Sequence, residues 1–429
     1  MKRINGKIWL AGAVSLALIV LLSAFVWAWH RVSAMPFLDR KLIAIESDDW
    51  GMTGIRDAEA YASLSVRGVR VDESPWSAYT LETTEDLDRL FTLLQGHRDA
   101  LNGPAVFTAN FILTNPDYHQ IASSGFQEYH YIPVRYGLPG RWQRKHLFPK
   151  YMDGIQKKVF YPAFHGREHF NADLWLGLLQ HNDPTAHALF GEEVVFGCRD
   201  LWRKIQGPYF VPPDGFRDSL AQLAVISDGI RLFREMFGFA PRSTIAPGYL
   251  WNRMTEKIWA AHGIEIIQAG NRQHMGVSPG GITLRGPERP MGAVNRDNLM
   301  YLARNVDFEP WRYDMPLSQY MNEIDYLLGL GSPVVISTHS INYISGIRIH
   351  PDAHLAKLDS LLSHIRQRHP DILFVHDGQL GDALRRGEFT HSSGERVHVN
   401  RKSSAAQRIR AAGIYLTHLF QKRIQRRIY

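Results

Sequence analysis

Hydrophobic positions fall along this chain in three regimes. The first is unbroken: no charged residue interrupts the run from Ile8 to Trp29. At ~1.5 Å per residue, such a run is long enough to cross the ~30 Å hydrocarbon core of a bilayer. The second regime alternates short β-rich runs with helical periodicity. It predicts strands at 42–47, 105–113, 159–164, 243–246, 264–268, 299–304, 334–338 and 372–375, and helices at 219–237, 253–262, 317–330 and 354–368. Strand–helix alternation on this scale predicts an α/β fold, either a β/α barrel or a doubly wound sheet. Residues 114–158 break the alternation with aromatic and basic residues of little periodicity, the mark of a loop insertion over the functional end of a barrel. Residues 276–298 form a second, shorter excursion. In the third regime, from residue 400 onward, Ile414, Leu416, Leu419, Phe420 and Ile424 are interleaved with cations. The expected organisation is therefore an anchor at 1–30, one folded domain at 31–399 and a basic amphipathic tail at 400–429.

Composition sharpens this outline. The chain has 429 residues, 45% hydrophobic and 11% aromatic, which suits a folded domain with a sizeable core. Its formal charge of +7 is unevenly placed. The tail holds eight Lys/Arg and no acid, and Lys2, Arg3 and Lys7 precede the apolar run. Without these the middle of the chain is about four charges negative, unlike a nucleic-acid-binding domain. The basic flank keeps the N-terminus in the cytoplasm and places the domain outside it, as a single-pass membrane protein. Val32-Ser33-Ala34 resembles a weak cleavage site, but the length of the run and its closing Trp27 and Trp29 favour a retained anchor. The tail reads equally as a helix on an anionic membrane surface or as a frayed, solvated terminus. Cys198 is the only cysteine, so neither an intrachain disulfide nor a thiolate metal cluster is available.

The chemistry-bearing residues sit at strand ends. Asp48-Asp49 closes the first predicted strand and precedes Trp50-Gly51. Strand alternation would aim the two carboxylates apart, leaving one for a cation and one for a proton; a solvated turn or a helix N-cap is the plainer alternative. The third strand runs into His165-Gly166-Arg167-Glu168-His169, where a helical turn would bring both imidazoles to one cation. With Asp49 they make a two-His, one-carboxylate set with open positions, suited to Zn²⁺ or another first-row divalent ion. Asp48 would then stand next to the attacking water without being a ligand. His339 follows the apolar strand at 334–338, a place for a residue at a catalytic mouth, or for a core histidine bonded to backbone. Asn252 is placed to cap the helix at 253–262.

Taken in order, Asp48-Asp49, His165/His169, Ala246-Pro247-Gly248-Tyr249 and His339 resemble the polysaccharide deacetylase (NodB-homology, carbohydrate esterase 4-like) superfamily. The resemblance covers roughly residues 41 to 385, and Arg304 to Pro310 with Ser340 to Tyr343 look like a divergent subgroup. It implies a distorted (β/α) barrel acting on an acetylated polysaccharide at the cell surface. In that pattern Asp49, His165 and His169 bind the metal, Asp48 is the general base and His339 the general acid. Pro247 and Tyr249 lie near the substrate. Beside the pattern, Trp50, Trp251 and Trp311 each follow a motif and are candidates either for stacking on sugar rings or for packing under the loops, and Arg304 and Asn342 are further candidate substrate contacts. The chain departs from the pattern at Ile245, where family members carry an Arg that holds the base. Arg304 or Arg242 are the candidates to replace it, and Asp307 is the candidate for the family's fourth-motif Asp. Two other functions fit the same residues: a glycoside hydrolase working through Asp48 and Glu309, and a glycan-binding protein whose site has decayed.

Overall fold

Nine short strands build one parallel sheet: β1 (Leu42–Trp50), β2 (Phe107–Ile112), β3 (Phe160–Gly166), β4 (Ser243–Thr244), β5 (Ile266–Ala269), β6 (Met300–Ala303), β7 (Val306–Asp307), β8 (Val334–His339) and β9 (Leu373–Phe374). The computed structural model describes residues 2–71, 79–195, 197–205, 218–270, 272–277, 283–313, 315–347 and 350–428. The strand order is β6-β5-β4-β3-β2-β1-β8-β7, with β9 beside the first residues of β1. Every residue of β1 is buried, which is why its start reads as an uninterrupted apolar run. Eight of the nine strands coincide with predicted ones. β7 escaped prediction because two residues carry no pattern.

The edges of this sheet, β6 and β7, are separated in sequence by Arg304 and Asn305 alone. The Arg304 N–H donates to the Ala269 carbonyl of β5 at 2.8 Å, and the Asn305 N–H to Val335 of β8 at 3.1 Å. The chain thus steps from one edge of the sheet to the other, curling it into a barrel-like form. The open, doubly wound alternative does not fit this connection. Helices Asp218–Phe237, Leu317–Gly329 and Pro351–Arg368 lie close to their predicted bounds. Asn252 caps the helix Arg253–Ala261 as expected, its side chain accepting from the Thr255 N–H at 3.0 Å while Thr255 returns the bond.

The predicted insertion at 114–158 resolves differently. Its start is a small antiparallel pairing of Thr114–Pro116 with Tyr131–Pro133. Its end, Leu147–Gln156, is the ordinary crossover helix between β2 and β3, with Leu147 and Tyr151 in the main core. The layer beside the functional end comes mostly from elsewhere: the short helices Ala58–Val66, Ala172–Gln180, Pro184–Gly191 and Arg199–Ile205 share a second core around Trp175 and Leu189. The 276–298 excursion begins at the end of a strand, Arg272–Val277, which pairs antiparallel with Thr283–Glu288.

Among the described residues one helix is long and apolar enough to cross a membrane, and it belongs to Lys2–Ser33. Its C-terminal end is not loose. Ala28 and Val32 are buried in a cluster with Leu330 and with Ala411, Ala412 and Tyr415 of the tail helix Ala405–Ile428.

Candidate active site

β1 departs from regular pairing as it reaches its acids. Ser47 pairs with Ala109 but Trp50 with Phe111, so β1 carries one extra residue against β2. Asp49 takes up the irregularity in the left-handed region at φ 71°, a conformation that costs a non-glycine residue on the order of 1 kcal/mol. The Tyr79 hydroxyl donates to the Asp49 carbonyl and helps to hold it there. Gly51 follows at φ 82°, where a Cβ would lie 2.7 Å from the Ile112 carbonyl oxygen. The two aspartates therefore divide through a bulge, not through the simple alternation that the sequence predicted.

Asp49 turns toward two imidazoles. Its Oδ1 lies 3.1 Å from His165 Nε2 and 3.3 Å from His169 Nε2. One donor atom from each of the three residues lies within 4.8 Å of the others. The His165 Nδ1–H donates to the Ile245 carbonyl at 3.0 Å, which leaves Nε2 as the atom facing the group. Burial pushes the His169 pKa down, favouring the neutral form that binds a cation, although Asp49 opposes the shift. Donors ~2.0–2.1 Å from a tetrahedral ion stand about 3.3 Å apart, so the observed spacings fit a first-row divalent ion. The pair does not meet through the expected helical turn. His165 is the last residue but one of β3, and after Gly166 at φ 152° an irregular segment brings His169 back.

Asp48 turns the other way, into a buried polar cluster. Arg304 grips it with two bonds, Nη2 to Oδ1 at 2.6 Å and Nη1 to Oδ2 at 2.7 Å, and Asn110 donates to Oδ1 at 2.8 Å. The Arg304 Nε donates to Glu46 at 2.7 Å. Burial alone would raise the Asp48 pKa, but Arg304 outweighs it and draws the pKa down to about 2. Glu46 goes the other way: burial pushes it up to about 8 with Arg304 acting against the shift. At neutral pH the guanidinium thus faces one full carboxylate and one proton-carrying acid. Of Arg304 and Arg242, it is Arg304 that holds Asp48. Arg242 instead pairs with Glu265 and Asp382.

His339 closes the group from β8. Its Nε2 lies 3.7 Å from Asp48 Oδ2, too long for a direct hydrogen bond and open to a reacting group between them. Its Nδ1–H donates to Glu309 at 2.6 Å. Burial lowers the His339 pKa, yet Glu309 and then Asp48 overcome this and raise it to about 9. The second oxygen of Glu309 accepts from Trp311 Nε1 at 3.0 Å and Asn342 Nδ2 at 2.8 Å. Glu309, not Asp307, is therefore the carboxylate on His339, since Asp307 is exposed on β7. With both oxygens committed, Glu309 is also poorly placed as the second acid of a glycosidase pair.

These groups surround a cavity of about 250 Å³. Tyr249 lines it, with its hydroxyl 3.2 Å from Arg304, while Pro247 is buried next to it. The other expected substrate contacts do not face it. Trp50 has no exposed surface, bonds Ser47 at 3.1 Å and packs edge-on against Phe160. Trp251 is buried and bonds Glu256 at 3.1 Å. Arg304 and Asn342 are buried positioning groups, for Asp48 and Glu309 respectively. Pattern reading missed Trp202, Arg312, Tyr79 and Met52, which do line the cavity. Trp202 stands beside His169 with ring centroids 5.3 Å apart. No motif marks these four, because they come from segments without periodicity and meet only in the folded chain.

No family model matches the chain. No curated protein matches it. Solved structures do match. A candidate polysaccharide deacetylase from Mycobacterium smegmatis is 14% identical over 82% of this chain and 94% of its own, with a TM-score of 0.37. A 4-alpha-glucanotransferase from Thermococcus litoralis is 8% identical over 79% of this chain and 40% of its own, TM-score 0.39. A CE4 family pseudoenzyme from Bacillus anthracis is 8% identical over 77% and 64%, TM-score 0.32. Two different activities and one pseudoenzyme are named among these three proteins, and likeness at this level chooses between none of them. The choice rests on the side chains.

Proposed function

We propose that this chain is a divalent-metal-dependent hydrolase that removes acetyl groups from a polysaccharide outside the cytoplasm. One observation carries the reading: the two adjacent aspartates are assigned to different tasks. Asp49 joins His165 and His169 around a single point, whereas Asp48 is held by Arg304 and faces His339 across a gap. A glycosidase would need a second free carboxylate, and a decayed site would have no reason to keep a buried guanidinium on Asp48.

A divalent ion, Zn²⁺ or a similar one, held by Asp49, His165 and His169 would supply a Lewis acid that acidifies water and polarises the acetyl carbonyl. The chain's own groups do the proton work. Asp48 is ionised above about pH 2 and accepts the proton of the attacking water. His339, kept protonated by Glu309, delivers a proton to the departing amine or alkoxide. Ligand pockets commonly run to about 300–1,000 Å³, so the small cavity here suits a pendant acetyl group better than a length of sugar chain. The decisive experiment measures metal content and acetate release on acetylated glycans. Chelation is expected to lower turnover at least about 100-fold, with recovery on adding Zn²⁺. Full turnover by metal-free protein would refute the reading.

The pH profile supplies a second check. His339 acts in its protonated form, and its pKa is raised, so activity should persist above the ordinary 6.5 and fall as pH rises through about 9. Glu309→Gln removes the charge that sustains this. Its alkaline limb should drop toward 6.5, with about a 30-fold loss at pH 8 and little change near pH 5. An unmoved limb would assign the proton to another group.

Lys2–Ser33 is proposed as a retained anchor that keeps the domain at the membrane. The burial of Ala28 and Val32 against the tail supports retention, because cleavage after Ala34 would strip one wall from that cluster.

A further inference from the structure

The tail helix and the N-terminal helix are antiparallel neighbours. Asp39 and Asn400 are joined by two hydrogen bonds, the Asp39 N–H to the Asn400 carbonyl at 3.1 Å and the Asn400 N–H to Asp39 Oδ1 at 2.8 Å. Further along, the rings of Trp27 and Tyr415 lie 5.6 Å apart. Advancing from Asn400 to Tyr415 therefore retreats along the N-terminal helix from Asp39 to Trp27, toward its apolar run. Small residues at the contact, Ala28, Ala411 and Ala412, allow the two helices to approach closely.

Beyond Tyr415 the pairing ends. Every residue from 12 to 23 of the N-terminal helix is exposed, so the tail does not accompany it through its apolar length. The stretch from Leu416 to Ile428 nevertheless continues for roughly 20 Å from a point level with Trp27. Leu419 and Phe420 stand exposed at its start, Phe420 at 67%. Lys422, Arg423, Arg426 and Arg427 follow in the sequence, and no acid lies among the last thirty residues. Exposed apolar side chains followed by clustered cations suit the boundary between acyl chains and anionic headgroups, and such cations do not enter hydrocarbon.

We propose that the tail helix is a second membrane element, whose last turns lie in the headgroup layer of an anionic phospholipid bilayer beside the exit of the N-terminal helix. This rests on reading Lys2–Ser33 as a span. The domain is then held at two points, and the solvated-terminus alternative for the tail is set aside. Each cation near an anionic surface strengthens association roughly fivefold.

The test uses the full chain in vesicles of phosphatidylcholine, alone or mixed with phosphatidylglycerol. A fluorophore on Gln421→Cys reports quenching by headgroup-labelled lipid. Quenching should rise at least threefold with phosphatidylglycerol, fall with added salt, and lose its lipid dependence when Lys422, Arg423, Arg426 and Arg427 are all replaced by Gln. Equal quenching in both vesicles, or in both proteins, overturns the proposal. Alkaline carbonate extraction separates the underlying reading: both proteins should stay with the membrane, whereas release of both would remove the span and the proposal with it.

Discussion

Asp48→Asn should leave the ion in place and lower acetate release about 10²- to 10⁴-fold, whereas His165→Ala should lose the ion. The two residues are close in space, and the different outcomes follow from what each one touches. Asn keeps the shape of Asp48 and contributes nothing to the Asp49 group, so the three donor atoms remain together. What disappears is the carboxylate that faces His339 across the 3.7 Å gap. Folding should survive this change. Arg304 loses one carboxylate but retains Glu46 at 2.7 Å, and removing the Asp48 charge takes away one of the influences that keep Glu46 protonated. His165→Ala acts on the other side of the bulge. It deletes one of two imidazoles and leaves the Ile245 carbonyl without its donor at 3.0 Å. Metal analysis and single-turnover acetate release on the same preparations check both halves. Full turnover by Asp48→Asn, or an ion retained in stoichiometric amount by His165→Ala, would each contradict the division of labour between the aspartates.

Much of this site was legible because its residues lie at strand ends, where an apolar run stops and polar chemistry begins. Asp48-Asp49, His165 and His339 are all of this kind, and their strands β1, β3 and β8 are signalled by local pattern alone. The partners that tune them were harder to read, since they are defined by distance in space. Arg304 reaches Asp48 across 256 positions of sequence, because the link between β6 and β7 closes the sheet on itself. Nothing local says that this link is a seam. Glu309 was read as a possible rival acid, and Asp307 was preferred for the family motif by residue type. In the structure β7 leaves Asp307 exposed, and Glu309 beyond it bonds His339.

Trp50 shows the opposite failure. Its place after the acids suggested a platform for sugar, but the extra residue in β1 turns its ring into the core beside Phe160. A bulge has no periodic signature, and shifting a strand by one residue exchanges its faces. The aromatic residue that does reach the cavity, Trp202, comes from a short helix in the second core, far from any motif. The pattern thus located the acids and imidazoles that come together and misplaced the surfaces around them.

Arg304→Met should be the most destabilising single change in the site. It leaves Asp48 and Glu46 buried without their cation, and breaking a buried pair from one side costs about 3–5 kcal/mol. The pH dependence has a definite sign. The folded-state pKa of Asp48 lies below its ordinary 3.8, so its pairing contributes stability that is fully present above about pH 4 and is lost as pH falls through about 2. Without Arg304, the strongest influence opposing burial is gone and the Asp48 pKa rises, so the acid limb of acetate release should move to higher pH. Metal content should hardly change, because Asp49, His165 and His169 make no bond to the guanidinium. Arg304→Met combined with Glu46→Gln should recover part of the stability, since one buried acid is removed, but not the original acid limb. Chemical denaturation gives the first quantity and a pH–rate profile the second. Lost stability with an unmoved acid limb would make Arg304 a purely structural residue and would leave Asp48 without the partner that makes it a carboxylate at every working pH.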